Sequence, residues 1–548
     1  MSAAGSSAVR TIARAAGIIL VVTVLARIAG FARYLVFGAT VGAGDVGTAY
    51  ASANLLPNVL FEVVAGGALA AAVIPLVAGL VESTTDDAGR RRASQIMSAM
   101  LGWVLVVTVP LALIVLLAAG PIAELVLGGR GSGAATVQAG ARMLRVFSVQ
   151  IPLYGVAVLL GAFCQARRHF LWPALAPLVS SLVVMASYLV YAALAPAVAT
   201  ATTISDAAEA VLAWGTTAGV AAMALVLVVP ARRAGLTIRP TLAMPPGEGR
   251  RALALAGAGL GAVGAQQLAT ALVLVLAMRA GGTGTLPVFQ YAQAVYLLPY
   301  AVLVVPLVTS VFPHLSELRL VGDTAGFGRA AAASMRLVMV VAAIGAGVLL
   351  AAAPAIERFF HLIDRASATG VGSTVGALAL GLAPFAIATQ ATRILSAAHR
   401  ARDALLVGSV GWLVAAALML VIVLPAPTRR TAEAATAFGL CIAAGMTVAA
   451  ILGVARLGES LGAGPVRRAL LRSAIVSVVL FLGGGALGFV VDRALLTPAS
   501  SAPAAVGIGL LAGVVAGAGA LAVLMVADRP AVTDLRARLG RRGRWSAA

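Results

Sequence analysis

Long hydrophobic runs separated by short polar loops repeat along the whole chain. Many of these runs hold about 20 apolar residues, enough for a helix to cross a hydrocarbon core of about 30 Å, and no strand-like alternation interrupts them. We therefore predict an all-α polytopic membrane protein with fourteen transmembrane helices. Their expected positions are residues 12–38, 46–80, 97–127, 136–165, 170–196, 208–231, 252–279, 287–316, 332–356, 372–398, 404–425, 432–455, 469–491 and 503–527.

The composition agrees with this membrane assignment. Of the 548 residues, 61% are hydrophobic and 11% are charged, which would leave a soluble protein with an almost wholly apolar surface. The polar start, residues 1–15, resembles the n-region of a signal peptide. The apolar run behind it is too long for that role and contains Arg27, so we expect an uncleaved first span.

The distribution of charge predicts the orientation of the chain. All 39 residues counted as Lys or Arg are arginines, and the formal net charge is +20. With the N-terminus placed inside, 27 of them fall in or beside cytoplasmic loops and termini, and nine fall on the outer side. This asymmetry predicts a cytoplasmic location for both termini. It also explains the basic net charge without a nucleic-acid partner.

A short internal repeat indicates two lobes. Tyr50 and the Leu-Leu-Pro sequence ending at Pro57 resemble Tyr291 and the Leu-Leu-Pro sequence ending at Pro299. Repeats related by an axis along the membrane normal would run parallel, as these two would. The predicted divisions are an N-terminal lobe (1–231), a cytoplasmic inter-lobe loop (232–251), a C-terminal lobe (252–456), two additional helices (457–527) and a basic cytoplasmic tail on the inner leaflet (528–548).

Motifs of catalysis are absent from the sequence. It contains no P-loop, no HExxH and no paired-cysteine motif, and Cys164 and Cys441 are isolated in apolar runs. We expect no catalytic residue, no metal and no cofactor, and therefore not an enzyme. A coupling cation or the membrane potential remains open as the energy source.

Charged and polar residues inside the spans are the candidates for function. A charge at the bilayer centre costs about 2.5–3.5 kcal/mol on insertion scales, so a chain keeps one where it faces a cavity or a partner. The fork of a guanidinium group suits phosphate. The candidate substrate-binding residues are Arg27, Arg33, Asn54, Asn58, Glu62, Gln293 and Arg393, with Asp45, Gln266, Gln267, Arg279 and Gln290 as secondary candidates.

A purely structural interpretation of these charges stays open at this point. Arg27 and Glu62 would neutralise each other as an ion pair, and Arg33 and Arg393 would reach the membrane interfaces with their long side chains. The functional interpretation places unpaired arginines in a cavity that takes an anionic ligand. Asn54, Asn58 and Glu62 share one helical face because they are four residues apart.

Four stretches of the chain carry a resemblance to known proteins, and they cover about a third of the chain and both predicted lobes. The stretches are ARIAGFARYLVFGATVGAG with ANLLPNVLFEVVAGGALAAAVIPLV, LLGAFCQARRHFLWPALAPLVSSLVV, FQYAQAVYLLPYAVLVVPLVTSVFPHLSEL and LAPFAIATQATRILSAAHRARDA. Together they resemble the MurJ/MviN family, the lipid II flippases of the MOP transporter superfamily.

The resemblance extends to some of the charged positions. Arg27 and Arg33 match two cavity arginines of the family's first helix. Other charges differ, because the family's helix 2 arginine falls on Phe61 and its helix 8 arginine on Ala294, beside Gln293. The family's acidic residue at the start of helix 2 aligns nearer Thr48 than Asp45, and its later Glu falls on Gly66, one turn from Glu62.

The resemblance implies alternating access by a flippase of the bacterial plasma membrane, with a polyprenyl-diphosphate cell-wall precursor, lipid II, in a cationic central cavity. Membrane lipids would be further partners, and cell-wall synthases remain open. Two alternatives stay open as well: a cation-coupled drug or other glycolipid or polysaccharide exporter of the same superfamily, and a non-transporting scaffold for cell-wall synthesis.

Overall fold

The structure is a computed structural model in which the described secondary structure is helical. It describes residues 3–63, 69, 73–74, 76–77, 87–129, 133–196, 198–425, 430–460 and 464–527. The helices of the first half are α1 (Ala3–Thr40), α2 (Asp45–Phe61), α3 (Asp87–Leu117), α4 (Ala119–Leu127), α5 (Ala134–Phe147), α6 (Gln150–Ala166), α7 (Leu171–Leu194), α8 (Asp206–Arg233) and α9 (Glu248–Gly281).

The second half of the chain continues the same pattern. Two segments within it are π-helical, Tyr300–Val304 directly after α10 and Met419–Val423 directly after α15. The helices are α10 (Thr285–Pro299), α11 (Val305–Leu320), α12 (Thr324–Ala351), α13 (Ala353–Ile363), α14 (Val371–Ala397), α15 (Ala401–Leu418), α16 (Thr431–Ser460), α17 (Gly464–Leu495) and α18 (Ala502–Ala527).

The predicted all-α membrane fold is confirmed. Among the described residues, 13 stretches are long and apolar enough to cross a membrane. The predicted span 372–398, for example, is found as α14 at Val371–Ala397, and 503–527 as α18 at Ala502–Ala527. The remaining predicted span, 46–80, begins as α2 and continues into residues outside the described part. The predicted tail, 528–548, also lies outside it.

Three predicted spans contain a helix break that the sequence did not reveal, although Ala134–Ala166, which contains span 136–165, is still one stretch long enough to cross a membrane. Span 97–127 is divided into α3 and α4, span 136–165 into α5 and α6, and span 332–356 into α12 and α13. Each break lies just before a proline, which has no N–H to donate to the carbonyl four residues earlier. The prolines are Pro121, Pro152 and Pro354.

Specific residues end or begin several helices. Gly42 has a φ of +78° and follows α1, where its N–H donates to Phe37 O at 2.9 Å, so the left-handed conformation stops the helix. Ser205 caps α8 by accepting from Ala208 N at 3.2 Å. Asp323 caps α12 in the same way, accepting from Gly326 N at 2.7 Å.

The chain packs as two compact units. Unit 1 contains residues 1–287 and 364–366, and unit 2 contains residues 288–363 and 367–548. In unit 1, α7 packs along α1 and α8, and in unit 2, α14 packs along α16, and α17 along α12 and α18. These units are defined by packing and place α9 in unit 1, whereas the predicted lobes follow an internal repeat. The lobes stay a prediction.

The three residues 364–366 complete unit 1 by holding the end of α1. The buried Asp364 carboxylate accepts from Ala43 N at 3.1 and 3.0 Å. Arg365 donates from its backbone N to Gly38 O at 2.9 Å and from its guanidinium to Thr40 O at 2.7 Å. Carbonyls at the end of a helix have no partner within the helix, so Arg365 satisfies two of them.

Candidate functional site

Arg33 of α1 lies among tyrosine side chains of unit 1. Its guanidinium is 5.6 Å from the centre of the Tyr34 ring and interacts electrostatically with Tyr50, Tyr154 and Tyr188. The side chain is only partly exposed. Among the described residues, no carboxylate lies within ion-pair distance of Arg33. Neutral phenols do not cancel its positive charge, so the site suits an anion.

The tyrosine hydroxyls form a chain of hydrogen bonds with a fixed direction. Thr216 Oγ1 donates to Leu212 O at 2.8 Å, so it accepts from Tyr50 Oη at 2.9 Å. Tyr50 then has no proton left for Tyr188, and it accepts from Tyr188 Oη at 2.7 Å. Linked hydrogen bonds in a buried site strengthen one another and hold their members rigidly. The Tyr50 and Tyr188 rings, which lie beside Arg33, are therefore held in place.

Tyr154 is held by a second polar group. Its hydroxyl lies 3.5 Å from Gln150 Oε1, and the fully buried Gln150 donates from Nε2 to Thr217 Oγ1 at 3.2 Å. The Tyr154 ring stacks on Phe61 with 5.4 Å between ring centres. Tyr154 also interacts with the Asn58 side chain. Helices α2, α6 and α8 thus join in one polar region of unit 1.

The predicted candidates on α2 lie beside this region. Asn58 donates from Nδ2 to Asn54 O at 3.1 Å. The Oδ1 atom of Asn54 is buried and has no hydrogen-bond partner among the described residues. Glu62 is partly buried, at a point where the helix passes from α to π geometry, and it interacts electrostatically with Tyr154. Asn58 and Glu62 therefore approach the same tyrosine as Arg33.

The Arg27–Glu62 ion pair of the structural interpretation is not formed. Both residues are described, and no contact within 4.0 Å joins their charged groups. Arg27 is exposed in α1, six residues before Arg33, which is about 9 Å along a helix axis. The structural interpretation of Arg27 as the neutralising partner of Glu62 therefore has no contact to support it.

The predicted candidates of unit 2 lie on α10 and α14. Gln290 and Gln293 of α10 are partly exposed, and Gln293 is six residues before Pro299, after which the helix becomes π-helical. Arg393 of α14 is exposed, with its guanidinium 5.8 Å from the centre of the Phe312 ring. Arg393 also interacts with Tyr300, the first residue of the π-helical segment. Unit 2 thus pairs an arginine with aromatic rings as unit 1 does.

The secondary candidates occupy different surroundings. Asp45 lies in the first turn of α2, where a negative charge is favourable at a helix N-terminus. Gln266 is exposed and Gln267 partly exposed in α9. Arg279 donates to Leu125 O at 3.2 Å, so it holds the end of α9 against α4. The structure does not bring Arg279 to the tyrosines.

Sequence reasoning missed most of the aromatic and hydroxyl groups of the site. Tyr154, Tyr188 and Thr216 lie in apolar runs and were not candidates, although a phenol inside a span needs a partner when it is buried. It also did not identify Glu209 as the partner of Arg142, which the structure joins by two bonds of 2.9 and 2.6 Å. Among the described residues, no group of His, Cys, Asp and Glu could hold a metal ion.

Comparison with known proteins identifies a family that matches most of this chain. The sequence model described as "Lipid II flippase MurJ" matches residues 37–516. A relative from Rhizobium tropici, named "Probable lipid II flippase MurJ", is 26% identical over 298 residues, which is 54% of this chain and 53% of the relative. The match thus spans about half the length of that relative.

Solved structures share the fold. The structure described as "Lipid II flippase MurJ, inward closed conformation" has a TM-score of 0.67 at 18% identity, covering 91% of this chain and 97% of the other. A multidrug resistance MATE family transporter of the MOP superfamily, in an inward-facing conformation, has a TM-score of 0.63 at 11% identity, covering 81% and 98%. At these identities the likeness concerns the fold alone.

Proposed function

Because this chain belongs to the MurJ family of lipid II flippases, we propose that it carries lipid II from the inner to the outer leaflet of the bacterial plasma membrane for peptidoglycan synthesis. The observation that carries the proposal is Arg33, an intramembrane cation with no acidic partner among the described residues. The diphosphate of a polyprenyl-linked precursor is the anion that such a site would bind.

The chemistry of Arg33 and its neighbours suits a diphosphate. A guanidinium group offers donors in a planar fork, which matches two phosphate oxygens, and the Asn58 side chain lies beside Tyr154, one of the tyrosines around Arg33. Arg27 lies farther along the same helix and would meet the ligand at another depth. Gln293 and Arg393 of unit 2 stay proposed contacts for the same class of anionic ligand.

An apolar cavity in unit 2 supports a place for the polyprenyl tail. It has a volume of about 1130 Å³ and lies where α12, α14, α16 and α17 approach one another. Its walls include Leu380, Ile387, Ile451 and Phe481. Ser477 also lines it, and the buried Ser477 hydroxyl has no hydrogen-bond partner among the described residues. A chain of isoprene units would replace lipid in such a cavity, and the charged head group would bind outside it.

The transport cycle follows from these assignments. Alternating access around a cationic cavity would expose the head group first to the cytoplasm and then to the outside. No covalent bond is made or broken, so the protein acts as a transporter and not as an enzyme. A coupling cation or the membrane potential would supply the energy, both termini would be cytoplasmic, and cell-wall synthases would take the product.

The experiment is complementation in a bacterium depleted of its own lipid II flippase. A membrane-impermeant probe then measures the lipid II accessible at the outer leaflet. We expect the wild-type chain to restore access and Arg33→Ala to fail at normal membrane levels. Arg319→Ala is the matched control, because Arg319 is exposed in the last turn of α11 and outside the proposed site.

Three results would contradict the proposal. If wild-type protein at normal levels restores no access to lipid II, the chain does not carry this substrate. If it instead extrudes a cationic dye in the same cells, the drug-exporter alternative replaces the flippase. If growth is restored without any change in accessible lipid II, the scaffold alternative is favoured.

A further inference from the structure

A second polar cavity lies within unit 2, away from Arg393 and from the apolar cavity. It has a volume of about 760 Å³ and is lined by the ends of α13, α14, α16 and α17. These ends adjoin the loops after predicted spans 9, 11 and 13, all of which the arginine distribution places on the outer side. Its charged lining residues are Glu357, Arg358, His361 and Arg493.

The only acidic group among these lining residues is already committed. Glu357 accepts from Gly370 N at 2.7 Å and from Gly372 N at 2.6 Å, so both of its oxygens cap the start of α14. The positive end of that helix compensates the carboxylate charge. Glu357 therefore does little to neutralise the arginines of the cavity.

Two of the basic groups are fixed by backbone carbonyls. Arg358 donates from Nε to Ser500 O at 3.0 Å and from one terminal nitrogen to Pro498 O at 2.5 Å, which holds the loop between α17 and α18. The His361 Nδ1 atom lies 3.1 Å from Ser367 O. A carbonyl only accepts, so Nδ1 carries the proton, and Nε2 is the ring nitrogen not used by this bond. Arg358 and His361 therefore remain polar groups in the wall of the cavity.

Arg493 is the basic group that remains available. Its guanidinium lies 5.6 Å from the centre of the Phe489 ring, and it makes no hydrogen bond or ion pair with any described residue. The neighbouring Asp492 is fully buried, accepts from Ala355 N at 3.0 Å and interacts electrostatically with Arg493 without an ion-pair contact. The exposed Arg493 can therefore offer its full fork to a ligand.

The cavity combines this surplus of positive charge with an apolar wall. Leu350, Phe489 and Leu496 line it together with the arginines. A ligand that matches both parts carries an anionic head and an aliphatic segment. We propose that this cavity binds the phosphate group of an anionic phospholipid of the outer leaflet, with Arg493 on the phosphate and Leu350, Phe489 and Leu496 on the glycerol and first methylenes.

This site is separate from transport of lipid II and does not depend on it. A lipid bound there contacts α13, α14 and α17 at once, and a ligand that binds only the folded protein stabilises it. A soluble anion would offer the same phosphate chemistry. The apolar wall favours the lipid, and the experiment compares the two sources.

The test uses the full-length protein in nanodiscs of phosphatidylcholine with increasing phosphatidylglycerol. Native mass spectrometry counts retained phosphatidylglycerol, and thermal unfolding measures its stabilising effect. We expect Arg493→Gln to lower the apparent affinity about tenfold, as loss of a charge-assisted phosphate contact would, and Arg493→Lys to retain most of it. Arg145→Ala, which removes an exposed charge on the same predicted side, should behave as wild type.

A parallel titration in pure phosphatidylcholine nanodiscs uses inorganic phosphate and glycerol 3-phosphate. We expect no stabilisation at concentrations where phosphatidylglycerol saturates. If either soluble anion alone stabilises the wild type and not Arg493→Gln, the site binds phosphate but the lipid assignment is overturned. If Arg493→Gln elutes as folded protein and retains phosphatidylglycerol like Arg145→Ala, the whole proposal is overturned.

Discussion

Removal of Arg142 should destabilise unit 1, because it leaves a buried carboxylate without its cation. Arg142 of α5 donates from Nε to Glu209 Oε1 at 2.9 Å and from a terminal nitrogen to Glu209 Oε2 at 2.6 Å. The Glu209 side chain is 8% exposed, whereas that of Arg142 is 45% exposed. In its degree of burial, the Arg142–Glu209 pair is therefore intermediate between a buried and an exposed ion pair.

The magnitude follows from this partial burial. Breaking a buried pair costs about 3–5 kcal/mol, and exposed pairs contribute about 0.2–1 kcal/mol. The arginine is partly exposed and the carboxylate is buried, so we expect Arg142→Ala to cost about 2 kcal/mol, between these two ranges. A Tm decrease of about 3 °C would correspond to such a change in a large domain.

The assay is thermal unfolding of purified protein in detergent, followed by intrinsic fluorescence. Arg145→Ala is the matched control, since Arg145 is in the last turn of the same helix, exposed, and in no ion pair with a described residue. The double variant Arg142→Ala with Glu209→Gln should unfold at a higher temperature than Arg142→Ala alone, because the unpaired charge is gone. Equal Tm values for Arg142→Ala and Arg145→Ala would refute the reasoning.

Three further predictions concern other parts of the chain. Tyr50→Phe removes the acceptor of Tyr188 and the donor to Thr216, and should lower the free energy of unfolding by about 1–3 kcal/mol in the same assay. An unchanged free energy of unfolding would refute the hydrogen-bond chain. Asp364→Ala removes the buried acceptor of Ala43 N and should lower the free energy of unfolding by a similar amount. An unchanged free energy of unfolding would contradict a stabilising role for this contact. A cysteine at Thr202 should react with an impermeant thiol reagent in intact cells, and one at Val321 should not. Both positions are exposed in loops on opposite predicted sides of the membrane, and the native cysteines are buried. Reversal of this pattern would contradict the predicted topology.

The helices were predictable because a backbone that crosses lipid must satisfy its N–H and C=O groups internally, and a helix does so within one apolar run. Apolar runs therefore located α14 and α18 within one or two residues. The breaks between α3 and α4 and between α5 and α6 escaped prediction, since a proline within a span either bends or divides a helix according to its packing. Hydrophobicity alone carries no information about that choice.

The candidate site was predictable only in part, for a related reason. Arg33 was predictable because a guanidinium inside a span is costly and therefore rare. Tyr154 and Tyr188 are inexpensive in an apolar run, so their presence in spans gave no signal until the fold placed them around Arg33. Whether Arg27 meets Glu62 depends on the rotation of two helices, and the structure places them apart.

Binding of the diphosphate at Arg33 is the central claim. The most direct measurement compares two affinities of the purified protein: the affinity for lipid II, and the affinity for the same polyprenyl chain carrying a monophosphate. We predict that wild type prefers the diphosphate, that Arg33→Ala loses at least about tenfold in affinity for it, and that Arg33→Lys recovers only part, because an ammonium cannot form the bidentate fork. Arg319→Ala should match wild type. Equal affinity of wild type and Arg33→Ala for lipid II, with both proteins folded, would contradict the account.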